Sequence, residues 1–167
     1  MLNLLQVVAV LLVSIAMALA LAHALELPGK MRLSKDAYMA VQPIYYPGFT
    51  IGGAVGELGG LIALVLLVVF TPWATRSFWL SMGSLAALAA AHAAYWFVTH
   101  PVNNFWLEGV AISRGGARFF ATDPLNRGAN LGPAPWTELR DRWEHSHVLR
   151  AALAFLSLTL LVVAVSL

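Results

Sequence analysis

The sequence predicts an all-α polytopic membrane protein: an antiparallel bundle of four transmembrane helices, with a long cytoplasmic loop between the third and the fourth. Three observations predict it. Of 167 residues, 60% are hydrophobic and only 11% charged, where an average soluble domain has roughly a quarter charged. Such a chain is solvated by lipid, because it can then be apolar outside as well as inside. Four apolar runs, at 2–25, 49–70, 78–98 and 148–167, each reach the roughly 20 helical residues that cross a bilayer core of about 30 Å. Lys30, Arg32 and Lys35 fall between the first and second runs, and Arg114, Arg118, Arg127, Arg140 and Arg142 between the third and fourth, whereas only Arg76 falls in the second loop. The positive-inside rule places loops one and three in the cytoplasm and both termini outside, in the cytoplasmic membrane. A single membrane domain over 1–167 is expected. A net charge of +2 with scattered arginines gives no footprint for nucleic acid. With no cysteine, disulfides, thiolate ligands and thiol nucleophiles are excluded, so histidine, carboxylate and tyrosine must carry any reactivity.

The first run reads as a spanning helix and not as a secretion signal, because no basic residue precedes it and it exceeds the roughly 7–15 apolar residues of a signal. Loop one is too aromatic for a plain linker. Ser34 can cap a short helix starting at Lys35, with Tyr38, Ile44, Tyr45 and Tyr46 at the interface, where amphipathic rings prefer to sit. In the second span Gly52, Gly56 and Gly60 recur every four residues, and in the third Gly83, Ala86, Ala87, Ala90, Ala91 and Ala94 keep the girth small. Small residues let helix backbones approach, so a close hairpin of these two spans, turned at Pro72, is expected; the same stripe would also serve self-association or docking as a membrane subunit. Residues 109–135, rich in Gly, Pro, Asn and Arg, read as irregular structure. The string SRGGAR lacks the ending of a phosphate loop. Arg140, Glu144 and His147 then lie about one turn apart, so the fourth helix is expected to start near Thr137, ahead of the membrane.

Ionisable residues within spans are costly and mark functional sites. His23 and Glu26 are three apart at the end of span one, and Glu144 and His147 three apart at the start of span four, so each pair shares a helix face. Glu57 and His92 lie at matching depths of roughly 12–13 Å by helical rise, and His92, Tyr95, Trp96 and Thr99 form one stripe. Glu-x-x-His pairs on facing helices are the pattern of carboxylate-bridged metal sites in four-helix bundles, although here the first pair runs His-x-x-Glu. His23, Glu26, Glu144 and His147 are therefore candidate catalytic residues and candidate ligands for iron or copper; a haem between two histidines and chemistry with no metal are the alternatives. The competing reading pairs both carboxylates with nearby arginines. His145 reads as solvated and His100 as bonded to local backbone. Tyr46, Glu57, His92, Trp96, Asn103 and Trp106 are expected to line a substrate pocket, Asn103 on condition that the third helix continues through Pro101.

The strings HALELPGKMRLSKDAYMAVQPIYYPGFTIGG, THPVNNFW and RWEHSHVLRAAL resemble the anthrone oxygenase-like family of small membrane proteins. The resemblance covers all four spans and both cytoplasmic loops, and does not extend to residues 109–135. It implies oxidation of an anthrone, a fused tricyclic ketone with an acidic methylene, to a quinone by molecular oxygen. In that chemistry His23 or His147 would be base or ligand, and Asn103, Trp106 and Tyr46 would line the pocket, with a small hydrophobic aromatic or quinone-like substrate arriving sideways from lipid. A proton-linked carrier using Glu57 and His92, and a structural or accessory subunit of a membrane complex, are the rival expectations.

Overall fold

The computed structural model describes residues 2–107, 111, 113–122 and 134–167. In chain order its elements are α1 (Leu2–Lys30), α2 (Lys35–Val41), a 3-10 turn (Gln42–Tyr45), α3 (Gly48–Phe70), α4 (Arg76–Ala94), a π turn (Tyr95–Thr99), α5 (His100–Trp106), α6 (Arg114–Ala121) and α7 (Trp136–Ser166). Four helical stretches are long and apolar enough to cross a membrane: α1, α3, α4 running through the π turn into α5, and α7. Their outer faces are greasy, with Leu4, Leu11, Ile62 and Val69 among many exposed apolar side chains, which is the surface of an integral membrane protein.

α1 packs along α3 on one side and α7 on the other, while α4 packs along α7 and, less extensively, along α3. Half of this arrangement is an apolar core of Val13, Leu64, Leu67, Leu88 and Leu161 with small alanines between. Trp73 and Trp79 stand exposed at that end, at the α3–α4 turn. Among the described residues the other end holds nearly all the charged side chains, and with them a second, aromatic core of Tyr38, Val102, Trp106, Leu139 and Trp143.

The glycine stripe packs differently from the sequence expectation. A Cβ on Gly56 would fall 2.6 Å from the Ala16 backbone nitrogen, and one on Gly52 would meet Leu19, so the stripe receives α1; only Gly60 also touches α4, through Leu88. The small face of α4 instead receives α7: Gly83 meets Leu160, and Ser84 and Ser157 hydrogen-bond across the two helices at 2.9 Å. The closest approach is small against small, Gly56 on the Ala16 backbone, with leucines of α1 closing over the flanking glycines, Leu19 over Gly52 and Leu12 over Gly59.

The third span does not end at His100. Pro101 has no N–H to give the carbonyl four residues back, and the helix absorbs this with the π turn, in which the His100 N–H bonds the Tyr95 carbonyl. The Phe97 carbonyl that Pro101 leaves accepts from Arg142 Nη2 at 3.2 Å. Helix then continues to Trp106. α1 likewise runs five residues past the apolar run, which puts His23, Glu26 and Lys30 on one continuous helix. α7 starts at Trp136, and its 31 residues measure roughly 46 Å at the usual rise, more than a bilayer core is thick.

Loop one forms the expected helix at Lys35, with Ser34 Oγ accepting from the Ala37 N–H at 3.4 Å. Tyr38, expected at the interface, is instead fully buried, its ring 5.0 Å from that of Trp106. Loop three is not wholly irregular: α6 starts where Ser113 Oγ accepts from the Gly116 N–H at 3.2 Å. Residues 109–110, 112 and 123–133 of that stretch lie outside the described residues.

Candidate functional site

Between the polar ends of the long helices lies a half-enclosed cavity of about 180 Å³, somewhat more than the roughly 150 Å³ void that accepts one benzene ring. Small residues of α1 and α3, Ala16, Ala20, Gly53 and Ala54, and the aromatic rings of Trp96, Phe119, Phe120 and Trp143 share the lining of this slot. Of the sequence-expected residues, His23, His147, Tyr46, Glu57, His92, Trp96, Asn103 and Trp106 all line it. Glu26 and Glu144 do not.

At the centre His23 and His147 meet with ring centroids 4.2 Å apart, and Trp143 packs 4.0 Å from His147. Both imidazoles are buried. His147 Nδ1 lies 2.9 Å from the Trp143 carbonyl. A carbonyl only accepts, so Nδ1 carries the proton and Nε2 keeps its lone pair. That is a histidine held in one tautomer, one turn of its own helix supplying the partner.

Deeper in the slot Glu57 is shared. One oxygen takes the Arg150 guanidinium in a close ion pair, and the other accepts from His92 Nδ1 at 2.9 Å. Trp96 Nε1 donates to His92 Nε2 at 3.0 Å, so both nitrogens of that ring are engaged and the hydrogen-bond pattern is that of the neutral tautomer. The Arg150 guanidinium also lies over the Tyr95 ring, 5.1 Å from its centroid. The charges cancel within the group, which suits a place where an unpaired ion is expensive.

The two carboxylates expected as ligands are turned to another task. Lys30, buried at the end of α1, stands 2.9 Å from Glu26 and 3.5 Å from Glu144, and its ammonium lies over the Tyr45 and Trp143 rings. Tyr45 donates to Glu26 at 2.6 Å and Tyr38 to Glu144 at 2.7 Å. Burial, then the carboxylate beside each, holds both phenols above the ordinary tyrosine range. His23 Nδ1 remains 3.8 Å from Glu26. Thus His23, Glu26, Glu144 and His147 do not converge as one ligand set, because Lys30 draws the carboxylates away from the imidazoles. Among the described residues no three His, Asp or Glu side chains are grouped to hold a metal ion. Two imidazoles in contact also leave no room for a haem plane between them. The competing idea, carboxylates in salt bridges, holds with a different partner: Lys30 for Glu26 and Glu144, and Arg150 for Glu57.

Asn103 is placed by continuation of the helix through Pro101, and its Oδ1 accepts from Trp143 Nε1 at 2.8 Å. Its NH₂ is thereby oriented as a donor. His100 reaches beyond local backbone: Nδ1 lies 2.9 Å from the Tyr95 hydroxyl, and Nε2 donates to the Thr122 carbonyl, tying α6 to the site. His145 is exposed and bonds the Asp141 carbonyl. Lys30, Arg150, Trp143 and Phe119 were not expected here. Spacing carried a signal for two of them: Lys30 follows Glu26 by four, and Arg150 follows His147 by three, so each shares a helix face with a residue already singled out. Comparison with models of known protein families, with curated proteins and with solved structures finds no match.

Proposed function

We propose that this chain is a membrane-embedded oxidoreductase of the oxygenase type, of the anthrone oxygenase-like family, acting on a flat hydrophobic aromatic ketone. The observation that carries the reading is His147: a buried imidazole on an aromatic-walled slot, its tautomer fixed by the Trp143 carbonyl so that Nε2 is the basic nitrogen. A methylene flanked by two aromatic rings and conjugated to a ketone is a carbon acid within reach of a neutral imidazole. His147 Nε2 takes one methylene proton. The carbanion, spread over the rings and the ketone oxygen, is stabilised by donors such as the Asn103 amide. Its electrons pass to molecular oxygen, forming a carbon-bound hydroperoxide with a proton. Loss of the remaining C–H proton with cleavage of the O–O bond leaves a carbonyl and water. The methylene is oxidised by four electrons and one O₂ is reduced. A tricycle occupies the slot together with its mouth.

In this reading the four long helices cross the membrane as an antiparallel bundle, with the slot and loops one and three on the cytoplasmic side. A reporter fused after Leu167 that works only outside the cytoplasm is expected to be active; activity of a cytoplasm-only reporter there would reverse the topology. A proton relay through Glu57 and His92 is less well supported, because Arg150 and Trp96 occupy the groups a relay would need.

The reaction is tested by adding anthrone to the purified protein in lipid nanodiscs and following quinone absorbance and oxygen uptake together. His147→Gln is expected to lower the rate by roughly 10²–10⁴, the usual worth of a positioned base, with thermal stability near that of the parent. A wild-type rate no faster than empty nanodiscs, or a His147→Gln rate equal to wild type, removes the proposal.

A further inference from the structure

Hydrogen-bonding capacity left unmet in the interior concentrates on the slot. Among the described residues the buried polar atoms without a hydrogen-bond partner are His23 Nδ1, Lys30 Nζ, Gln42 Nε2, Trp106 Nε1, Glu144 Oε2 and Arg150 Nε. Lys30 and Glu144 belong to the ion-paired cluster beside the slot. The other four all belong to residues that line it. Buried donors are satisfied in the great majority of native structures, and an orphan costs about as much as a lost hydrogen bond. Four around one cavity therefore indicate a ligand that supplies the missing partners.

Two of these, Trp106 and Gln42, are neighbours of Tyr38. Both are buried, and they are brought together by Tyr38: its ring is 5.0 Å from that of Trp106, and the Gln42 N–H bonds its carbonyl one turn on. The indole N–H can only donate, so its partner must be an acceptor.

We infer that Trp106 and Gln42 are specificity-determining residues that hold an oxygen of the ligand, so the slot selects fused aromatics bearing a hydroxyl or carbonyl over hydrocarbons of the same outline. The inference rests on the aromatic-substrate reading above and adds the residues that recognise an oxygen of the molecule. Specificity of this kind is strong because an unfilled site leaves buried donors unpaired.

The experiment measures binding and not turnover, by tryptophan fluorescence quenching in lipid nanodiscs. The two probes are 2,6-dihydroxyanthraquinone and anthracene, which share a three-ring outline. The wild-type protein is expected to prefer the oxygenated probe, corrected for partition into empty nanodiscs. Trp106→Phe and Gln42→Leu should each weaken that probe by roughly five- to hundred-fold while leaving anthracene unchanged. Because each variant removes an unpaired donor, the unliganded protein should lose little thermal stability. Equal affinity of the wild type for both probes, or equal weakening of both by the variants, overturns the inference. Retained discrimination without oxidation of anthrone would remove the oxygenase reading and leave this site standing. Oxidation with unaltered discrimination in the variants would do the reverse.

Discussion

Arg150→Leu is expected to destabilise the protein by about 3–5 kcal/mol, the usual cost of stranding one member of a buried ion pair. Glu57 is 6% exposed and Arg150 9%, so neither charge can turn to water when the other is lost. The guanidinium also covers the Tyr95 ring, and a leucine replaces that apolar contact only in part. The double variant Glu57→Gln with Arg150→Leu should recover most of the loss, since a neutral amide can still accept from His92. Unfolding of purified variants in detergent, followed by circular dichroism, reads both. If the single variant unfolds with the parent, or the double variant is worse than the single, Arg150 is not compensating Glu57.

The second large effect is steric. Gly56→Leu places a Cβ 2.6 Å from the Ala16 nitrogen and 3.0 Å from its Cα, positions that only a separation of α1 from α3 can relieve. Helix association in lipid depends on such close approach, so little folded protein should survive extraction. Even Gly56→Ala should be destabilising, by about 1–3 kcal/mol as for other overpacked sites. Gly53 is the internal control: a Cβ there meets nothing within 4 Å, and Gly53→Ala should be near neutral. Equal yields and melting temperatures for the two alanine variants would show that the backbones do not meet at Gly56.

The contrast between what the chain announces and what it conceals has a physical basis. The four apolar runs, the helix start at Lys35, a fourth helix beginning within a residue of Thr137, and the matching depths of Glu57 and His92 follow from local pattern, because span length, capping and depth are set within one element. The slot's lining was legible for the same reason: His92 and Trp96 share a stripe, and Tyr46, Asn103 and Trp106 sit next to the ends of spans. What local pattern does not carry is the choice among partners. Lys30 counts as a loop cation by sequence but is buried by the packing of α1 on α7, and that single placement decides where Glu26 and Glu144 turn. The glycine stripe was visible, while the helix that fills it is settled by the packing of all four helices together. The π turn follows from Pro101, yet a proline inside a helix can equally end it.

The partners Glu57 and Arg150 are 93 residues apart in the chain, and this separation has a consequence for biogenesis. Helices leave the ribosome in order, so α3 must settle in the bilayer while α7 is still unmade. During that interval the Glu57 carboxylate has only His92 for company, and then only after α4 has followed. A carboxylate alone near the middle of a span costs about 2.5–3.5 kcal/mol on insertion scales, which the leucines and valines of α3 must outweigh. A nascent chain stopped before Trp136 should therefore stay beside the insertion machinery, and be released to lipid only when Arg150 arrives.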